Sequence, residues 1–335
     1  MNRFLLLITL SIAAFYFSCR RITPPLTQEK EMLVFLDSLE ASKAITMDDA
    51  EGFFKNINAT DIAIQMKRNV RDLGQDPVKS YIDFLKSEVI SFNKEDKENL
   101  TRVWNQVLKQ THAVNARINQ PVQLVKIKTR HYGENVFYTR GNTIFIPENV
   151  LTNFNASVLH PIMVHEWWHI LSERYPDLKD SIYAVFGFKR HNLSLKFPEK
   201  LKNRLLTNPD GVDLSYAIPI GGEQWLMPII FSVGNEYLPQ KMNFMGHLQM
   251  EVVKIKQDGS VEYPSNASTA DQTKEMEVFF QKIGDNTQYI IHPDEIAADN
   301  FMLALIAYSE NNFSKFSYDG RKKVERVIQV LKTVK

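Results

Sequence analysis

His165-Glu166-Trp167-Trp168-His169 is the segment of this 335-residue chain whose residue types and spacing point to chemistry. From the composition, roughly 0.01 matches to His-Glu-x-x-His are expected by chance, for a pattern whose mechanism is helical ligand spacing. On a helix, residues i and i+4 lie one turn apart with Cβ atoms about 5–6 Å from each other. The imidazoles of His165 and His169 can then converge on one Zn²⁺ at about 2.0–2.1 Å. Glu166 points about 100° round the helix. From there it can reach a zinc-bound water, whose pKa the metal lowers toward about 7. Trp167 and Trp168 fall on the other side and are expected in the core. A catalytic zinc needs three protein ligands and an open position, so a third donor must come from elsewhere. The remaining histidines are His112, His131, His160, His191, His247 and His292, and a lone cysteine excludes a cysteine-cluster finger.

Glu-x-x-x-Asp occurs twice, against about one match expected by chance. Glu173…Asp177 contains Pro176 and continues the helix that carries the histidines, so it cannot easily approach the metal from another direction. Glu295…Asp299 lies in His292-Pro293-Asp294-Glu295-Ile296-Ala297-Ala298-Asp299. Proline at a first helical position and acids in the first turn mark a helix start. Glu295 and Asp299 then share one face, and Ala297 and Ala298 permit close approach to a neighbouring helix.

His-Glu-x-x-His followed by Glu-x-x-x-Asp resembles the gluzincins, the thermolysin-like class of zinc metallopeptidases. The metzincin pattern would place a histidine six residues after His169, where this chain has Tyr175. The gluzincin resemblance implies one Zn²⁺ held by His165, His169 and Glu295, with Glu166 as general base. It implies that Asp299 accepts the free ring N–H of a ligating histidine, His165, and that the substrate is a peptide or protein. It also implies an edge strand just before the motif helix that pairs with extended substrate, a place occupied here by Asn142–Pro147. An oxyanion stabiliser is expected as well, with His292, Tyr289, Tyr237 and His191 as candidates. The 125 residues between His169 and Glu295 depart from thermolysin, where the connection is short. One alternative is a non-catalytic surface or binding lipoprotein on a zincin scaffold, against which the presence of Glu166 argues. Another is a zinc hydrolase acting on non-peptide amides.

The elements that must position these residues read as an α+β chain. Residues 29–118 form a mostly helical N-terminal region. Met32, Leu33, Phe35, Leu36 and Leu39 recur at helical spacing, and Asn93–Ile118 reads as a long amphipathic helix. From about residue 121 the period changes, and Val136–Thr139 and Asn142–Ile146 flank Arg140-Gly141 as a hairpin. A helix follows over Ser157–Arg174 and stops before Tyr175-Pro176. Residues 119–335 are read as a zincin-like domain, a small sheet with an active-site helix and a ligand helix. Within it, about 176–268 is an insertion containing strands at Tyr216–Ile220, Trp225–Ser232 and His247–Ile255. Helices resume near Thr269–Ile283, Pro293–Tyr308 and Asp319–Val334.

Residues 1–18, with Arg3 before the apolar run Phe4–Phe17, have the layout of a secretory signal and are too short for a comfortable membrane span, which needs about 20 residues. Ser18-Cys19 at the end of that run resembles a bacterial lipoprotein signal, although Tyr16 stands where an aliphatic residue is usual. This resemblance implies lipidation at Cys19, attachment to the membrane through that lipid, and residence in the bacterial cell envelope. Arg20 leans toward the outer membrane. Residues 19–28, with Pro24-Pro25, read as a tether. The 40 Lys+Arg and 39 Asp+Glu give a net charge of +1, and removing residues 1–18 takes away one cation. A balance so near zero argues against a general nucleic-acid binder. Oligomeric state is not fixed by the sequence.

Overall fold

Alternation of short apolar runs with capped helices builds the first half of the chain. The computed structural model describes residues 33–48, 50–241, 243–262 and 269–333. The expected signal, Cys19 and the tether lie outside the described residues. β1 (Leu33–Phe35) is followed by α1 (Ser38–Thr46), which starts at a capping box between Asp37 and Glu40. Then come α2 (Phe53–Asn56), α3 (Ala59–Met66), α4 (Pro77–Lys86), β2 (Val89–Ile90) and α5 (Lys94–Ala113). β3 (Val122–Ile127), β4 (Tyr138–Arg140) and β5 (Thr143–Pro147) lead through α6 (Glu148–Thr152) into α7 (Ala156–Arg174). α7 carries the His-Glu-x-x-His segment and ends where Pro176 begins α8 (Pro176–Val185).

The first sheet runs β1-β3-β5-β4, with β2 also paired to β3. β1 and β5 are parallel to β3, and β4 returns antiparallel on β5. Alternation along a strand sends successive side chains to opposite faces. Ile144 and Ile146 of β5 accordingly join the core formed with α5 and α7, while Phe145 joins the core under α1, α3 and α4. Helices α1, α3 and α4 thus back the sheet on the face opposite α5 and α7.

Two expectations are corrected here. Leu33–Phe35 is a strand, not the start of a helix. Its three residues pair with Val122, Gln123 and Leu124, and so short an apolar run satisfies helical and strand periods equally. The strand leading into the motif helix, β5, is interior. Both of its sides are taken, by β3 and β4, and the outer arm of the hairpin is β4.

The segment after α8 forms a second, antiparallel sheet. It contains β6 (Lys189–Arg190), then α9 (Glu199–Lys202), β7 (Tyr216–Gly221) and β8 (Gln224–Ser232). After α10 (Phe244–His247), β9 (Leu248–Ile255) and β10 (Val261–Glu262) complete the order β10-β9-β8-β7-β6. α11 (Thr269–Ile283), α12 (Pro293–Glu310) and α13 (Tyr318–Thr333) close the chain. α12 packs along α7 through fully buried Ala297 and Ala298, with Trp168 and Phe301 rings 5.6 Å apart. On the other side of α7, Trp167 meets Trp104 of α5 at 5.0 Å and donates its indole N–H to the Ala116 carbonyl. The result is α+β, and the described residues form one compact unit. Among them no helix is long and apolar enough to cross a membrane.

Candidate metal centre

α7 and α12 bring three donors together. His165, His169 and Glu295 each present a ligand atom, all within 4.8 Å of one another. Glu295 Oε2 lies 3.1 Å from His165 Nε2 and 3.7 Å from His169 Nε2. Donors placed tetrahedrally at about 2.0–2.1 Å from a zinc ion are about 3.3–3.4 Å apart, so these separations fit one such ion. The His169 side chain is buried, and its Nε2 has no hydrogen-bond partner among the described residues. An uncompensated buried ring nitrogen is costly, and a cation at this point would satisfy it.

Each ligand is held from behind. His165 Nδ1 donates to Asp299 Oδ1 at 3.0 Å, which leaves Nε2 facing Glu295. His169 Nδ1 donates to Asp294 Oδ2 at 2.9 Å. Glu295 Oε1 accepts from Asn208 Nδ2 at 2.8 Å, which leaves Oε2 toward the imidazoles. Such outer partners fix the tautomer and orientation of metal-binding histidines. Asp294 accepts besides from Trp168 Nε1, the Tyr183 hydroxyl and Ser172 Oγ, so α7, α8 and α12 are tied at one buried carboxylate.

The local electrostatics call for positive charge. Burial opposes protonation of His165, but Asp299 and Glu295 outweigh it and hold the ring well above its ordinary value. Burial likewise opposes charge on His169, while Glu295, Asp210 and Asp294 raise it to about 10. Burial works against the Glu295 carboxylate, yet His169 and His165 keep it below the usual range. Burial pushes the Glu166 carboxyl up against the pull of both histidines. A divalent cation can replace the histidine protons, because metal ligands must be deprotonated.

Glu166 is buried beside this triad, and its Oε2 accepts from Thr139 Oγ1 of β4 at 2.7 Å. A cavity of about 300 Å³ opens onto His165, Glu166 and Glu295, walled by Val136, Phe137, Ile162 and Met302. A larger cleft of about 1000 Å³ between β9, α11 and α13 has no histidine among its lining residues.

The oxyanion candidates separate clearly. Tyr289 lines the 300 Å³ cavity with its ring 6.4 Å from that of His165. Its amide donates to Thr287 Oγ1, whose hydroxyl is bonded to Asp299. Tyr289 is 38% exposed overall, and desolvation of its phenol with the nearby carboxylates led by Glu295 raises it above the usual range. His292 instead caps α12. Its Nδ1 accepts from the Asp294 amide and its Nε2 donates to the Asp213 carbonyl, which leaves neither nitrogen for a substrate oxygen. Tyr237 stacks on His247, and His191 packs beside Trp225 in a different cavity.

Sequence reasoning missed four residues of this neighbourhood. Asp294 was visible only as a helix-start acid. Thr139, Asn208 and Asp210 reach the site through β4 and the loop after α9, and no local pattern announces them. Asp210 accepts from the Thr139 amide, and its carboxylate lies in a second group of donors with Glu166 and His169. No protein-family model, no curated protein and no solved structure matches this chain.

Proposed function

We propose that the protein is a zinc-dependent metallopeptidase with a zincin-like core, in which His165, His169 and Glu295 hold one Zn²⁺ and Glu166 is the general base. The observation that carries this reading is the convergence of His165 Nε2, His169 Nε2 and Glu295 Oε2 at zinc-compatible separations, with Glu166 beside them. When bound, the zinc supplies Lewis-acid polarisation of the scissile carbonyl and lowers the pKa of a water molecule. The residues of the chain do the rest. Glu166, oriented by Thr139, takes a proton from that water and passes it to the leaving amine. Asp299 and Asp294 keep both histidines in the tautomer that leaves Nε2 free. Tyr289 stands at the cavity wall as a donor for charge developing on the carbonyl oxygen. The apolar part of the wall, Val136, Phe137, Ile162 and Met302, suits an apolar substrate side chain.

The N-terminal signal supports a lipid-anchored envelope enzyme, with Cys19 as the acylated residue and a peptide or protein as substrate. The test is Glu166→Gln measured against wild type on a peptide library. Both proteins should bind one zinc, and only wild type should cleave. Equal cleavage by both would refute the base assignment. Zinc-loaded wild type that cleaves no peptide would favour a binding protein on the same scaffold.

A further inference from the structure

The 300 Å³ cavity at the metal centre is acidic. Glu166, Asp210, Glu295 and Asp299 all line it, and neither lysine nor arginine does. Three of these carboxylates already have a part. Glu166 stands as the base, Glu295 as a ligand, and Asp299 accepts from His165. Asp210 has none, yet the chain holds it in place. It belongs to the loop between α9 and β7. There the Thr207 amide donates to Asp61 Oδ2 at 2.8 Å, and the Val212 and Asp213 amides donate to Glu51 Oε2 at 2.7 and 3.1 Å. Thr139 pins two carboxylates at once, with its amide on Asp210 Oδ1 and its hydroxyl on Glu166 Oε2. Asp210 is half-buried, and among the described residues no hydrogen bond or ion pair is made to its Oδ2.

What such a carboxylate can bind is limited by where it stands. One oxygen of Asp210 lies within 4.8 Å of a carboxylate oxygen of Glu166. A general base acts about 2.6–3.2 Å from the water it activates, and that water attacks a carbonyl carbon from about 3–3.5 Å. In a peptide the α-nitrogen is about 2.5 Å from the carbonyl carbon of its own residue. An ammonium on that nitrogen reaches a carboxylate at about 2.7–2.9 Å. Legs of these lengths close between two carboxylates 4.8 Å apart. A lysine or arginine side chain carries its charge at the end of a long stem, which overshoots an acid so near the base.

We infer that Asp210 binds the free α-ammonium of the substrate's N-terminal residue, so that the enzyme is an aminopeptidase. This rests on the reading of the site as a zinc peptidase with Glu166 as base. The bond after the first residue is then the one presented for hydrolysis. Water adds to its carbonyl carbon, the C–N bond breaks, and the proton taken by Glu166 goes to the leaving amine. The products are one amino acid and the shortened peptide. Val136, Phe137, Ile162 and Met302 favour an apolar first residue.

The test compares leucyl peptides with a free and an acetylated amine on the zinc-loaded protein. Wild type should cleave the free peptide after its first residue and lose about 100-fold in kcat/KM on the acetylated one, which leaves the Asp210 charge without its partner. This comparison needs no variant to fold. Equal cleavage of both would overturn the inference and leave the peptidase reading standing. Cleavage of neither would end the peptidase reading and the inference with it. Asp210→Asn, with its zinc content checked in parallel, should bring the ratio of free to acetylated kcat/KM below about 10. A ratio that stays at the wild-type value would make Asp210 structural and overturn the anchor. A loss in Asp210→Asn confined to peptides bearing lysine or arginine side chains would make it a side-chain reader and overturn the proposal as well. Calorimetry on Glu166→Gln reads binding without turnover. The free peptide should bind about 10-fold or more tightly than its acetylated form, and equal affinities would contradict the inference.

Discussion

Asp294→Asn is the perturbation whose cost the structure sets most fully. The Asp294 carboxylate accepts from Trp168 Nε1 (3.0 Å) and Tyr183 (2.8 Å) at one oxygen, and from His169 Nδ1 (2.9 Å) and Ser172 (3.1 Å) at the other. It is buried, and Lys179 lies near enough to favour its charge against the cost of burial. An asparagine has one acceptor oxygen, so two of these donors would face its amide N–H groups instead. Hydrogen bonds to a charged group contribute about 1.5–3 kcal/mol each, which puts the loss of two at about 3–6 kcal/mol. Removing one partner of a buried charge pair costs about 3–5 kcal/mol by itself. The two figures describe overlapping interactions, so a loss of about 4 kcal/mol is expected. The same change frees His169 to rotate and should weaken zinc binding by about 10- to 100-fold. Denaturant unfolding of the metal-free protein and chelator competition measure the two effects separately. A stability change below about 1 kcal/mol together with unaltered zinc affinity would refute the argument that Asp294 ties α7, α8 and α12 at the metal.

Other outcomes follow from particular contacts. Thr139→Val removes the hydroxyl donor to Glu166 and keeps the backbone amide. Loss of one hydrogen bond to a carboxylate should lower kcat for peptide hydrolysis about 10-fold at unchanged zinc content, and an unaltered kcat would contradict the orienting role. Glu88 is buried against Arg130 and His131. Burial opposes its charge, but His131 and Arg130 hold its carboxyl below the ordinary range. Its folded-state pKa is depressed, so its stabilisation is present above the unfolded value near 4.5 and is lost as pH falls through the folded one. Glu88→Gln should cost about 2–4 kcal/mol at pH 7. The gap from wild type should narrow as pH drops below about 4.5, and a gap that widens there would reverse the sign. Asp61 shows the opposite linkage. Burial raises its carboxyl to about 6 against hydrogen bonds from Gln65 and Thr207. The folded state holds this proton more tightly, so its contribution favours folding at low pH and is lost as pH rises from about 4 through 6. At about 1.4 kcal/mol per pKa unit this amounts to roughly 3 kcal/mol. An NMR titration of the Asp61 carboxyl should find its midpoint near 6, and a midpoint at or below 4 would rule this out.

What could be read from the sequence was what is local. The spacing of His165 and His169 is a property of one helix, and the helix runs where the pattern and Pro176 set its limits. Glu295 and Asp299 are likewise a single-helix pair behind Pro293, and α12 brings both to His165. The strands β7, β8 and β9 followed from apolar runs. What escaped depends on distant chain segments meeting. Asp294 looks like any acid in a first helical turn until α7 and α8 supply its donors from more than 100 residues away. Asp210 and Asn208 belong to a loop with no periodic signal, fixed by Glu51 and Asp61. The choice of β4 over β5 as outer strand is a matter of which hairpin arm meets β3, which alternation along either arm does not encode.

The central claim is that one zinc ion sits between α7 and α12. Crystallographic data collected at the zinc absorption edge on the zinc-loaded protein test it directly. The account predicts an anomalous peak about 2.0–2.2 Å from His165 Nε2, His169 Nε2 and Glu295 Oε2. No peak at that point, or a peak that His165, His169 and Glu295 do not ligate, would contradict it.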